Sequence, residues 1–184
     1  MNHVFSQFFY WKYKIPNFDE VLDYCKDYKI NNSKYDWGQA CIVDRAPLDA
    51  EKVKSLIKPS ITLLAKEVNK NMTYAVADAW LSVYKQNSFQ EAHDHCDHTL
   101  AAVMFLNHGP NFAKFYFCDR LPALGYHLQN IIPREDHEYP DVKAGDIIIF
   151  PSYMMHGVTP HKSDEVRTTL ACNIHIYPPD QPPK

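Results

Sequence analysis

The chain has 184 residues and a formal net charge of −3 with its ten histidines neutral, a length for one domain with a sizeable core. Hydrophobic and aromatic fractions of 46% and 14% exclude a disordered chain, and the charge balance offers no broad basic footprint for duplex nucleic acid. Only five glycines, no phosphate loop or dinucleotide fingerprint, no long apolar span, and five scattered cysteines without a C-x-x-C exclude nucleotide-loop, membrane and disulfide-scaffold classes.

Residues 4 to 15 alternate and are rich in aromatics, which predicts a strand closed by Pro16. Asn17 is placed to cap a helix running to about Lys29, with Asp19 and Glu20 in its first turn and Phe18, Val21, Leu22, Cys25 and Tyr28 at helical spacing. A second helical region spans about Leu48 to Asn69, with Leu56, Ile57, Ile61, Leu64 and Val68 on one face and Pro59 expected to kink or split it.

Beyond residue 72, strand-like runs follow one another: "TYAVADAWLSVY", "TLAAVMFL", "FAKFYFC", "DIIIF", "HGVTP" and "RTTLACNIHIY". With no helical pattern between them, they predict an antiparallel barrel or jelly roll. Residues 120 to 142 read as a long insertion loop of the kind that forms lids, and "YPPDQPPK" as a frayed tail. The expected organisation is a single domain over 1–184: a strand and supporting helices in 1–72, the β core in 73–177, and the tail in 178–184.

The stretch "EAHDHCDHTL" concentrates three histidines just before a buried strand. If residues 93 to 98 are extended, His93, His95 and Asp97 share one face. An H-x-D triplet alone arises by chance about once in a chain of this composition, and a solvated loop explains it equally well. His156, in "FPSYMMHGVTP", adds a third donor from a distant strand, although alone it reads as a core histidine satisfied by backbone. Two histidines and one carboxylate bind one face of Fe(II) and leave positions open for a co-substrate and O2, and His95, Asp97 and His156 supply that set. Arg167 and Thr169 alternate onto one face of the last strand and offer a guanidinium fork and a hydroxyl to a carboxylate. A surface ion pair of Arg167 with Asp164 or Glu165 is the plainer alternative.

In this order, H-x-D, a distal His, then R-x-T, the chain resembles the Fe(II)- and 2-oxoglutarate-dependent oxygenases, and more narrowly the small phage and bacterial proteins of the prolyl-hydroxylase-like group. The likeness runs over about residues 74 to 177. It implies a mainly β fold with N-terminal α-helices and a double-stranded β-helix (jelly-roll) core. It also implies a metal held by His95, Asp97 and His156, and 2-oxoglutarate held through its distal carboxylate by Arg167 and Thr169, with Tyr84 donating its hydroxyl. The cofactor set is Fe(II), 2-oxoglutarate and O2, with ascorbate as reductant. The implied reaction is hydroxylation of a peptide side chain or small molecule with release of succinate and CO2. Relatives often carry H-x-H at the positions of His93 and His95, so His93 is a bystander, a supporting partner or a substitute ligand. Asn173 shares strand parity with Arg167 and either lines the pocket or belongs to the ladder. A cupin-like metalloenzyme that does not use 2-oxoglutarate, or a noncatalytic jelly-roll module, are the competing functions. The absence of a signal peptide or membrane span gives a cytoplasmic expectation, in a cell or a phage-infected host.

Overall fold

A computed structural model describes residues 8–26, 28, 34–36, 41–95, 97–118 and 137–177. The expected lid and tail fall largely outside the described residues, as do residues 1–7, Cys96 and His127.

Alternation places Trp11–Lys14 in strand β1, and Pro16 follows its end. Helix α1, Phe18–Lys26, then buries Val21 and Cys25. Asn17 does not cap it in the expected way: its Oδ1 has no partner, while its Nδ2 donates to Glu20 Oε2 (3.1 Å) and to Leu56 O (3.2 Å). The residue therefore ties α1 to the second helix instead of satisfying the helix end. That second helix, α2 (Ala50–Glu67), is capped by Asp49, whose side chain accepts from Lys52 N at 2.7 Å. It runs through Pro59 as one element, because Val53, Leu56, Ile57, Ser60, Ile61 and Leu64 are all buried on its inner face and hold both halves.

Two strands that the sequence pattern missed, β2 (Lys34–Asp36) and β3 (Cys41–Pro47), precede α2. The remaining strands are β4 (Thr73–Tyr84), β5 (Phe89–His93), β6 (Leu100–Phe105), β7 (Phe115–Cys118), β8 (His137–Glu138), β9 (Asp146–Pro151), β10 (His156–Val158) and β11 (Arg167–Tyr177). All pair antiparallel in the order β1-β9-β6-β11-β4-β3-β5-β10-β7-β8, with β2 on β3. The path curls back on itself: Phe150 on β9 meets Phe117 on β7 with ring centroids 5.0 Å apart, although many strands separate them along the path. This is the double-stranded β-helix that the resemblance implied.

Strand parity divides the interior into two packed regions. Ile147, Ile149, Leu170, Cys172, Met104 and Leu81 face the helices, with Leu56, Ile57 and Leu64 of α2 on the other side. Ile148, Phe150, Phe105, Phe115, Phe117 and Tyr84 face into the barrel. Ile147, Ile148 and Ile149 are fully buried, so β9 reads as an uninterrupted apolar run and each side chain contributes about 1.5–3 kcal/mol. The inward face carries the polar residues that matter next. Among the described residues Cys25, Cys118 and Cys172 are free thiols, and no described helix is long and apolar enough to cross a membrane.

Candidate metal and carboxylate site

Three histidines converge at one end of the barrel. His93 closes β5 and pairs directly with His156 at the start of β10, while the chain bends after His93 and His95 N bonds to Ser152 O at 2.8 Å. The ligand-capable atoms of His93, His95 and His156 all lie within 4.8 Å of one another, and their ring centroids are 4.4–5.1 Å apart. Gly157 permits the approach of β10 to β5, because a Cβ there would come within 2.9 Å of Gln90 O.

Asp97, expected to complete the ligand set, is not part of this group. The strand ends at His93, and a turn in which His98 N bonds to His95 O (3.1 Å) carries Asp97 outward into solvent. The period-two parity that put Asp97 beside His95 holds only inside a strand. The structure thus brings His95 and His156 together as expected, adds His93, and leaves Asp97 apart.

Each imidazole is oriented by an oxygen acceptor. His93 Nδ1 bonds to Glu91 O (2.9 Å), His95 Nδ1 to Asn173 Oδ1 (2.5 Å), and His156 Nδ1 to Met154 O (2.9 Å). A carbonyl oxygen can only accept, so Nδ1 carries the proton in all three and Nε2 keeps its lone pair. Gln90 Nε2 donates to His93 Nε2 at 2.9 Å, and Gln90 Oε1 accepts from Tyr84 at 3.4 Å. Asn173 reaches His95 because β11 and β4 lose register between Asn173 and Ile174, a bulge beside the site.

Burial drives all three imidazoles toward the neutral form. His93 is lowered to about 4, first by burial and then by the charges of its neighbours His95 and Arg45, with the Glu91 carbonyl opposing. Burial likewise lowers His95, and it lowers His156 well below the ordinary histidine range. Neutral nitrogen is the form that binds a metal, so the site is in its ligating state at neutral pH.

The sign for stability follows directly. Unfolded, these histidines take up protons near the ordinary value of 6.5, whereas folded His93 resists until about 4. Protein stripped of metal should therefore lose stability as pH falls from about 6.5 to about 4, by on the order of 3 kcal/mol from His93 alone. Urea unfolding across that window checks it. His93→Gln should flatten much of the slope, and an equal slope in the variant would contradict the assignment.

The same cavity extends from the histidines to the second expected feature. It is lined by Tyr84, Arg167 and Thr169 as well as by the three imidazoles. Arg167 and Thr169 are each 3% exposed, which rules out the surface ion pair with Asp164 or Glu165. The Arg167 guanidinium lies over the Tyr84 ring at 4.7 Å and the Phe105 ring at 5.6 Å, and its Nη1 has no hydrogen-bond partner. Burial lowers its affinity for a proton, opposed by Tyr84. A buried guanidinium with an orphaned donor and no ion pair among the described residues fits an anion brought by a ligand. Phe115, Phe150, Ala101 and Val103 make the cavity walls apolar.

Three further residues at this site escaped the sequence reading. Gln90 had no signal. Trp80, stacked on His95 at 5.8 Å, was legible only as a strand aromatic. Arg45 lies on β3, where "CIVDRAP" mixes charge and proline with a short apolar run.

A model of the family described as "Putative 2OG-Fe(II) oxygenase" matches residues 78–173, slightly more than half of the chain. No curated protein matches by sequence. Among solved structures, a Pseudomonas putida prolyl-4-hydroxylase is similar with a TM-score of 0.63 at 11% identity, covering 91% of this chain and 92% of its own. The viral collagen prolyl hydroxylase of Paramecium bursaria Chlorella virus-1, in complex with 2OG, gives a TM-score of 0.59 at 15% identity, covering 90% and 94%. SnoN, a non-heme alpha-ketoglutarate-dependent epimerase of nogalamycin biosynthesis, gives 0.66 at 16%, covering 90% and 76%. These likenesses establish the fold.

Proposed function

The chain belongs to the 2OG-Fe(II) oxygenase family, and on that premise we propose that His93, His95 and His156 hold iron(II) while Arg167 receives the distal carboxylate of 2-oxoglutarate. The observation that carries this reading is the pairing, in one apolar-walled cavity, of three converging neutral imidazoles with a buried arginine whose Nη1 is orphaned. The donor set fits the metal: imidazole suits iron, and three donors from one side leave room for further ligands.

When bound, iron(II) and 2-oxoglutarate supply O2-dependent oxidation of a substrate C–H bond, coupled to conversion of 2-oxoglutarate to succinate and CO2. The chain's own part is geometric and electrostatic. Glu91 O, Asn173 Oδ1 and Met154 O fix the three rings with Nε2 turned to the metal's side, and the His93 Nε2 would exchange its bond from Gln90 Nε2 for the metal. Arg167, propped on the Tyr84 ring, offers its fork to the distal carboxylate, and buried Thr169 adds a hydroxyl from the same strand face. Tyr84 supports this carboxylate site through Arg167 as well as through its hydroxyl, which now bonds to Gln90. Phe115 and Phe150 pack against His156 at 5.5 and 4.8 Å and keep bulk water from the metal's protein side. Asp97 remains outside the ligand set, and ascorbate serves only as an external reductant.

The proposed outcome is hydroxylation of a peptide side chain or small molecule, supported by the two prolyl hydroxylases that share the fold. Purified protein given Fe(II), ascorbate and 2-oxoglutarate should release succinate slowly without any substrate. Tight metal binding with no succinate and no affinity for 2-oxoglutarate would replace this reading with a cupin-like metalloenzyme.

A further inference from the structure

The cavity holds a second guanidinium. Arg45 shares strand parity with Cys41 and Val43, both buried in the barrel interior, so its side chain runs inward and lines the same cavity as the three histidines. Its guanidinium carbon lies 5.2 Å from the centroid of the Trp80 ring, and the Trp80 ring stacks in turn on His95. Arg45 thus lies on the wall of the cavity that carries the three histidines. Across the β3–β4 ladder its partner is Ser82, which is buried and lines the cavity too.

The oxygenase reading assigns one cation, Arg167, to the distal carboxylate of 2-oxoglutarate and the iron to the other end of that molecule. That assignment gives no role to Arg45, which lines the histidine side of the same cavity. The donors that the protein offers are neutral, because an imidazole stands where a carboxylate was expected. An arginine presented on an indole face is a directional receptor for a planar oxyanion, and a half-buried one binds it more strongly than a surface lysine would.

We infer that the molecule to be oxidised is an anion, and that Arg45, braced by Trp80, receives its carboxylate or phosphate while the reacting carbon stands over His93, His95 and His156. Arg45 is thus a specificity-determining residue, distinct from the co-substrate arginine. The inference rests on the oxygenase reading for the position of the reacting carbon, but the anion preference can be measured without turnover.

The test is calorimetric binding to protein loaded with Mn(II) and saturating 2-oxoglutarate, using paired anionic and neutral probes. The pairs are benzoate and benzamide, hexanoate and hexanamide, N-acetylleucine and its amide, and phenyl phosphate and phenol. At least one anion should bind 10-fold or more tightly than its neutral partner, and the phosphate pair against the carboxylate pairs identifies the group. Arg45→Gln should abolish the preference and Arg45→Lys should keep part of it, while both hold Mn(II) and 2-oxoglutarate within about 2-fold of the parent. No anion preference in the parent protein, or a preference that survives Arg45→Gln, would overturn the inference. So would a loss of 2-oxoglutarate affinity in Arg45→Gln equal to that in Arg167→Leu, which would make Arg45 a co-substrate ligand. Failure of the oxygenase reading shows itself separately, as absence of 2-oxoglutarate binding in the parent.

Discussion

Arg167→Leu is expected to weaken 2-oxoglutarate binding by about 100-fold or more, with iron or Mn(II) binding unchanged. The fork of a buried arginine on a carboxylate is a charge-assisted pair in a dry site, and its loss costs about 2–5 kcal/mol. The geometry allows little compensation, because the groups around the guanidinium are the Tyr84 and Phe105 rings. The variant should also be at least as stable as the parent. A buried guanidinium with an orphaned Nη1 is costly to fold around, and removing that cost offsets the packing that the shorter leucine leaves unfilled. The checks are the KM for 2-oxoglutarate, a metal titration and a thermal melt. Unchanged affinity for 2-oxoglutarate would remove Arg167 from the co-substrate site.

His156→Ala is expected to bring succinate formation to background and to weaken metal binding by about 100-fold or more. His156 is 5% exposed, is held by Met154 O, and is packed between Phe115 and Phe150, so no other side chain can swing into its place. Of the three donors it is the one supplied from a strand distant in sequence, and without it only the adjacent pair His93 and His95 remains. Metal content after dialysis, together with single-turnover succinate yield, tests this. A variant that retains one tightly bound ion per chain would contradict the role of His156.

Much of this architecture was legible in the residues. The long runs of β4 and β11 are strands because their apolar, β-branched and aromatic residues alternate over 12 and 11 positions. Parity along β11 put Arg167 and Thr169 on one face, and both indeed point into the barrel. The same parity included Asn173, whose side chain turns out to orient His95 across 78 positions of sequence, a partnership that no local pattern announces.

Parity failed where it was carried past the end of β5. Three backbone bonds that close the chain after His93, from His95 N to Ser152 O, His98 N to His95 O and Ser152 N to Thr99 O, redirect it. They are long-range or turn contacts, so "HDHCD" alone could not decide between a carboxylate and a second adjacent imidazole. Arg45 was missed for a different reason. Its strand carries the charged pair Asp44 and Arg45 in mid-run and ends at Pro47, and only its pairing with both β4 and β5 brings it inside the barrel. Pro59 shows the reverse error, a breaker outvoted by six buried residues on one helix face.

The central claim is that three histidines, and no carboxylate, make the metal site. Metal stoichiometry and affinity of His93→Ala and Asp97→Ala, measured side by side with Fe(II) under anaerobic conditions or with Mn(II), test it most directly. Asp97→Ala should bind one ion per chain as the parent does, since Asp97 is exposed and lies outside the histidine group, whereas His93→Ala should bind about 100-fold more weakly. Full metal binding by His93→Ala with loss of binding in Asp97→Ala would contradict the account.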